Sequence, residues 1–165
     1  MTLRIKNLFH HKNRYGVVRS SRDDLIQIAH LSEECFDASW SETQLLELFD
    51  SHVGDIWHVN VQNEPEHIVA YLLLHIIDEE AEILSIGTVS HLRRSGCAHK
   101  LLTTVIEHLR SQYVRQLFLE VAANNHAALK LYQELGFRII SQRKGYYAET
   151  QEGFNIDALM MMLEL

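Results

Sequence analysis

The chain has 165 residues, of which 47% are hydrophobic, and its formal net charge is -7. This composition excludes a disordered chain and fits one domain with a core of its own. No apolar run approaches the roughly 20 residues that span a bilayer, and two cysteines are too few for a disulfide framework. We therefore expect a cytoplasmic protein with free thiols and no membrane span.

Charge is distributed unevenly along the chain. Residues 1–22 carry six basic side chains and no acidic one, whereas the remainder has nine basic and 22 acidic. We expect residues 1–14 to form a mobile basic leader rather than a nucleic-acid arm, and 15–165 to form a single domain. The acidic body would attract a basic protein or a cationic amine, although an acidic surface that only meets solvent is the alternative.

The hydrophobic pattern predicts alternating strands and helices. Ser21 with Asp24 can cap a first helix, and Ser41 with Gln44 forms a capping box for a second. Trp40 can pack on the first turn of that second helix. A turn is predicted at 63–66, and Gly87 indicates a bulge or a close backbone approach. Strands are predicted at 15–19, 56–61, 67–77, 81–89, 115–122, 138–143 and 156–163.

A short segment before the third predicted helix has the composition of an anion-binding loop. It consists of Arg93, Arg94, Ser95, Gly96, Cys97 and Ala98. The first amides of a helix lack internal partners, the helix dipole favours anions there, and glycine permits close approach. A diphosphate fits such a loop, although an ordinary helix start explains the same residues. Cys97 and Ala98 keep the entry to the loop small, and Cys97 needs no further role.

The predicted strand at 115–122 contains a carboxylate, Glu120, among apolar residues. Such a group is solvated in a cleft, is paired, or has a raised pKa, because burying a bare charge is costly. The structural alternative is a strand-end carboxylate that meets solvent or an arginine. Asn125 then suits a helix cap, Tyr132 lies on an apolar stripe that also fits a core role, and Gly136 fits the helix stop.

Together these residues resemble the GCN5-related N-acetyltransferases, which transfer an acetyl group from acetyl-CoA to an amine. The loop 93–98 is similar to the pyrophosphate loop of that family. The segment from Glu120 through Asn125 and Tyr132 to Phe137 resembles its subgroup of bacterial ribosomal-protein alanine N-acetyltransferases. Arg143, Tyr146 and Tyr147 and the Asp157-Ala158 pair agree with that subgroup. Ser39, Val89-Ser90 and Arg93 depart from its usual pattern, which bears on loop shape and peptide preference.

The resemblance implies a fold, a reaction and a set of site residues. The fold is α/β (α+β): a mixed, mostly antiparallel sheet of about seven strands, splayed at its middle and flanked by about four helices. Glu120 would be the base and Tyr132 the acid. Acetyl-CoA would be the only cofactor, with no metal. Its binding residues would be Ile86, Thr88, Arg93, Arg94, Ser95, Gly96, Cys97, Ala98 and Asn125.

The implied acceptor is a basic protein or peptide N-terminus, specifically the N-terminal alanine of a ribosomal small-subunit protein. Trp40, Tyr146 and Tyr147 would line its groove, although the two tyrosines could instead pack on the sheet. We expect a monomer or weak dimer that binds no nucleic acid. The alternatives are an acetyltransferase for a small amine, such as a polyamine, amino acid or aminoglycoside, and a non-catalytic module that binds acyl-CoA.

Overall fold

A computed structural model describes residues 15–62, 64–147 and 155–165, and these form seven strands and four α-helices. The strands are β1 (Tyr15–Arg19), β2 (Gly54–Val61), β3 (Glu64–Ile77), β4 (Glu80–Thr88), β5 (Gln116–Ala122), β6 (Arg138–Tyr147) and β7 (Ile156–Glu164). The helices are α1 (Leu25–Cys35), α2 (Glu42–Asp50), α3 (Cys97–Ser111) and α4 (His126–Glu134). Short 3-10 turns at Arg22–Asp24 and Ser90–Leu92 precede α1 and follow β4.

The strands form one mixed sheet in the order β1-β2-β3-β4-β5-β7-β6. The β1–β2, β5–β7 and β6–β7 pairs are antiparallel, whereas β4 and β5 run parallel. The β4–β5 register runs from Glu80 opposite Gln116 to Ile83 opposite Leu119, although β4 continues to Thr88 and β5 to Ala122. This seven-stranded mixed sheet with four helices confirms the predicted fold class.

The described chain divides into two compact units. The first holds the described residues up to Leu73 together with Ser85–Thr104, and the second holds Leu74–Leu84 and the described residues of Val105–Leu165. The predicted basic leader, residues 1–14, lies outside the described residues. The single domain at 15–165 stays a prediction.

Local hydrogen bonds explain where the first two helices begin. The amide of Ser21 donates to the Asp24 carboxylate at 2.7 Å before α1. At α2 the Ser41 hydroxyl accepts from the Gln44 amide at 3.3 Å, and the Gln44 side chain accepts from the Ser41 amide at 2.9 Å. Each pairing satisfies backbone donors that have no partner inside a helix. The predicted Ser41–Gln44 capping box is confirmed. Ser21 and Asp24 instead cap the 3-10 turn that leads into α1, and α1 itself, whose N-cap is Asp24, has no side-chain cap hydrogen bond.

The core follows the predicted periodicity. Along β5 the residues Leu117, Leu119 and Val121 are buried, while the alternate residues are half-buried. Helix α3 buries its apolar stripe, which consists of Leu101, Leu102, Val105, Ile106 and Leu109. The two largest differences from the predicted strand boundaries are in β3 and β6. Strand β3 already begins at Glu64, inside the predicted turn, and β6 continues past Arg143 because its pairing with β7 resumes at Tyr147.

Candidate active site

Within the predicted anion loop, Gly96 directly precedes α3 and accepts a backbone hydrogen bond from its first turn. The Lys100 amide donates to the Gly96 carbonyl oxygen at 2.9 Å. Gly96 has a φ of 90°, a conformation that favours glycine, and a Cβ atom placed there would have nothing within 4 Å. The amides that follow belong to the first turn of a 15-residue helix, where anions are favoured. The backbone at Gly96 therefore lies beside open space, at the start of a helix.

The turn before Gly96 uses some of its own polar groups. The Ser95 amide donates to the Leu92 carbonyl at 3.2 Å, and the Ser95 hydroxyl donates to the same oxygen at 2.6 Å. Ser95 therefore shapes the loop, and its amide is already engaged. Cys97 is 1% exposed, so its small side chain fills the core behind the loop. Ala98 is half-buried beside it, while Arg93 and Arg94 are exposed and give the loop its positive charge.

The carbonyl of Thr88, at the end of β4, accepts from two side chains. The Arg93 Nε atom donates at 3.4 Å, and the Cys35 thiol donates at 3.5 Å. Burial raises the pKa of Cys35, with Arg93 acting in the opposite direction, so the thiol keeps its proton at neutral pH. The sequence analysis did not predict Cys35 as a residue of the site. In the structure it is the last residue of α1.

Gly87 in β4 is closely packed. The sequence indicates either a bulge or a close backbone approach at this residue. A Cβ atom at Gly87 would lie 2.6 Å from Cε1 of Tyr71 and 3.0 Å from the sulfur of Cys35. The Tyr71 hydroxyl lies 2.9 Å from the Ser85 hydroxyl and donates to Ser32 Oγ at 3.2 Å. This buried polar cluster fixes β4 on both sides of Ile86, which is half-buried.

The cluster also holds the segment that contains Trp40. The Trp40 amide donates to Ser32 Oγ at 2.9 Å, and the Trp40 side chain is half-buried. Sequence reasoning missed Ser32, Tyr71 and Ser85. The sequence contained a signal for Ser32, because this residue lies four residues after Ile28 and so shares the apolar face of α1. In the structure Ser32 is fully buried.

In the second unit, the Glu120 carboxylate is bound by an arginine. The Arg143 guanidinium donates to Glu120 Oε2, and the side chains of Glu120 and Arg143 are 18% and 54% exposed. The guanidinium carbon also lies 3.9 Å from the centre of the exposed Tyr146 ring. The Glu120 carboxylate raises the pKa of Arg143. Pairing with an arginine was the structural alternative that the sequence left open for Glu120.

Tyr132 and Asn125 lie at opposite ends of α4. Burial raises the pKa of Tyr132 to about 12, so this phenol is protonated at neutral pH. Its ring centre lies 5.7 Å from that of Phe137. Asn125 is exposed at the N-cap, and its side-chain oxygen accepts from the Ala128 amide at 3.2 Å. This cap occupies the amide oxygen, while the other end of the same side chain carries two N–H donors.

The predictions about Tyr147, a metal site and a membrane span can be compared only with the residues that the structure describes. Tyr147 ends β6, but its side chain lies outside them. Within residues 15–62, 64–147 and 155–165, no group of three or more histidine, cysteine or acidic side chains is arranged to hold a metal ion. No helix in this part of the chain is long and apolar enough to cross a membrane.

Comparisons with known proteins identify the family. The model of the acetyltransferase (GNAT) family matches residues 25–137. The chain is 33% identical over 142 residues to the [Ribosomal protein bS18]-alanine N-acetyltransferase of Haemophilus ducreyi, a match that covers 86% of this chain and 90% of that protein. The Escherichia coli K12 protein of the same name is 30% identical over 143 residues, or 86% of this chain and 92% of that one.

A solved structure agrees with these sequences. The ribosomal-protein-S18-alanine N-acetyltransferase from Escherichia coli superposes with a TM-score of 0.81 at 26% identity, covering 91% of this chain and 93% of that chain. The family match extends over the anion loop, Glu120 and Tyr132. The chain therefore belongs to the GNAT acetyltransferase family and is an acyltransferase.

Proposed function

We propose that the protein transfers the acetyl group of acetyl-CoA to the N-terminal α-amine of a protein, the alanine of ribosomal protein bS18. The observation that carries this proposal is the likeness to bS18-alanine N-acetyltransferases over 86% of the chain. The acidic charge of the chain after residue 22 supports a basic partner.

Acetyl-CoA is proposed to bind along β4 and the anion loop. The helix start after Gly96 would hold the diphosphate, with charge from Arg93 and Arg94. The other loop residues, Ser95, Cys97 and Ala98, would shape the loop without adding charge. Backbone groups at Ile86 and Thr88 would meet the pantetheine and acetyl end. The Asn125 side-chain N–H groups would donate to a pantetheine amide.

The proposed reaction is direct attack by the amine nitrogen on the thioester carbon. An α-amine with a pKa of about 7.7 to 8.0 is mostly protonated at neutral pH, and only its neutral form attacks. Glu120 would take the proton, through water, as the new C–N bond forms. Backbone amides of the sheet would stabilise the oxyanion of the intermediate.

As the C–S bond breaks, Tyr132 would donate its proton to the departing sulfur. A phenol with a pKa of about 12 is a weak acid in isolation. Burial disfavours the charged phenolate of Tyr132, and it also disfavours a charged CoA thiolate beside it. The pKa of the CoA thiol is therefore raised too, which brings it closer to the pKa of Tyr132. Trp40, Tyr146 and Tyr147 would line the acceptor groove, where positioning of both substrates supplies much of the rate.

The test is release of CoA thiol from acetyl-CoA with three acceptors. These are a bS18 N-terminal peptide that begins with alanine, its Nα-blocked copy containing lysine, and a panel of polyamines. We expect turnover with the free N-terminal peptide alone. Turnover of the polyamines instead would replace the proposal with the small-amine reaction, and acetyl-CoA binding without turnover of any acceptor would leave a binding module.

A further inference from the structure

The pairing of Glu120 with Arg143 joins two strands that are not neighbours. Glu120 lies on β5 and Arg143 on β6, and β7 runs between these strands. Strands in a sheet are about 4.8 Å apart, so the pair bridges roughly 10 Å of sheet. Only a long side chain can cross that distance, and an arginine presents a fork of donors at its end.

The register explains why the path across β7 is open. Arg143 lies opposite Ala158 of β7, and Ala158 lies opposite Ala122 of β5. Residues that lie opposite one another share a face, and Glu120 shares the face of Ala122 because it is two residues away. On β7 the residue opposite Glu120 is Met160, so the diagonal path from Arg143 to Glu120 crosses β7 beside Ala158 and Met160. Because the side chain of Ala158 is only a methyl group, the arginine can lie over it toward Glu120.

A β-bulge holds the segment that carries Arg143. The β6–β7 register moves from Arg143 opposite Ala158 to Tyr147 opposite Ile156, so three residues of β6 lie opposite Asp157 alone. The Asp157 carboxylate accepts from the Gly145 amide at 2.8 Å and from the Gln142 side chain at 2.5 Å. Gly145 has a φ of 60°. The Asp157 carboxylate therefore holds residues on both sides of Lys144, which is the residue that follows Arg143.

The bulge also brings Tyr146 back over the guanidinium. A cation at 3.9 Å from an aromatic centre is attracted by the ring and restrained in orientation. A second arginine of β6 offers a contrast. Arg138 pairs with Glu164 of the neighbouring strand β7, and both of these side chains are more than 60% exposed. Exposed pairs of that kind contribute little, whereas the Glu120 carboxylate is mostly withdrawn from water.

We propose that Arg143 is a positioning residue for the Glu120 carboxylate in acetyl transfer, and that the Asp157-pinned bulge and Tyr146 hold its guanidinium in place. This inference rests on the proposed function. Glu120 can rotate about three side-chain bonds, and a base must lie within hydrogen-bond reach of the proton it removes. The arginine restricts that rotation through one carboxylate oxygen, so its loss affects turnover rather than acceptor affinity.

The experiment compares steady-state kinetics of Arg143→Gln, Arg143→Lys and the matched control Arg138→Gln, with thermal unfolding of each. With the bS18 peptide as acceptor, we expect Arg143→Gln to lower kcat roughly 10-fold to 100-fold while the peptide KM changes less than about twofold. Arg143→Lys should recover part of the loss, and Arg138→Gln should match the unmodified protein.

A double-mutant cycle separates positioning from a merely structural role. If Arg143 acts through Glu120, Arg143→Gln should change kcat little when Glu120 is already Gln. Equal losses in both backgrounds, or an unchanged kcat in Arg143→Gln, would overturn the proposal. If Arg143→Gln does not fold, Arg143→Lys in the same cycle decides the matter. Absence of turnover in the unmodified protein would instead reject the proposed function, so the two failures are distinguishable.

Discussion

The side-chain oxygen of Asn125 accepts a hydrogen bond from the amide of Ala128 and thereby caps α4. This residue is also proposed to bind the pantetheine amide, and the two roles use different ends of its side chain. Asn125→Ser should keep the cap, because serine is a good N-cap residue, and should weaken acetyl-CoA binding. Asn125→Ala should also lose about 1 kcal/mol of stability. Calorimetric titration and urea unfolding measure the two effects, and unaltered acetyl-CoA affinity in Asn125→Ser would leave Asn125 as a cap only.

Removal of the Tyr132 hydroxyl should slow the reaction without weakening cofactor binding. Tyr132→Phe keeps the ring that packs near Phe137 and removes the proposed proton donor. We expect kcat to fall by roughly 100-fold, with acetyl-CoA affinity within about twofold of the original. Stopped-flow detection of CoA thiol and a binding titration measure these quantities. Unchanged turnover would exclude Tyr132 as the acid.

The same phenol should make the protein less stable in alkali. Its pKa is raised from 10.0 to about 12 in the folded state, so the unfolded chain loses this proton first as pH rises. The stabilising contribution is complete below pH 10.0 and is lost as the pH approaches 12. The free energy of unfolding should fall more steeply above pH 10.0 in the unmodified protein than in Tyr132→Phe. Parallel slopes in urea titrations at several alkaline pH values would contradict this.

Gly87→Ala should destabilise the protein, because the new methyl group would meet the buried Tyr71 ring. We expect a loss of about 1 to 3 kcal/mol in urea unfolding. Gly16→Ala is the matched control. Its Cβ would also lie 2.6 Å from a neighbour, but that neighbour is the terminal oxygen of the half-buried Asn60 side chain, which can move aside. A smaller loss for Gly87→Ala than for Gly16→Ala would contradict this explanation.

Glu120→Gln should make turnover depend on the supply of neutral amine. Without the carboxylate as base, kcat/KM for the peptide should fall roughly 10²-fold or more near neutral pH. The loss should shrink as the pH rises past the amine pKa of about 8, since the acceptor then arrives deprotonated. Rates measured across neutral and alkaline pH test this, and a pH profile that overlays the original would reject Glu120 as the base.

Local features of the fold could be predicted from the sequence. The Ser41–Gln44 capping box, the stop at Gly136 and the alternation along β5 depend on residues close together in the chain, and each lies where its pattern predicts. The family resemblance added the sheet and the reaction class. The roles of Glu120, Tyr132 and the anion loop stay predictions that the experiments above test.

Contacts between distant segments could not be predicted in the same way. The Tyr71 hydroxyl meets Ser32, 39 residues earlier, and only the folded chain brings these two together. The Glu120–Arg143 pair depends on β7 lying between β5 and β6, an order that periodicity along each strand does not contain. The sequence offered an arginine as one partner for Glu120 without indicating which one.

The bulge in β6 also affects how molecules of this protein meet one another. Among the residues that the structure describes, strand β6 is an edge of the sheet, and its Ile139 and Ile140 side chains are exposed. A flat, apolar edge is a template on which another chain can add a strand and begin aggregation. The three bulged residues opposite Asp157, together with the charge of Arg138 at the other end of the strand, interrupt that template. The irregularity that places Arg143 beside Glu120 is thus also one of the features that make a strand edge a poor template for edge-to-edge association.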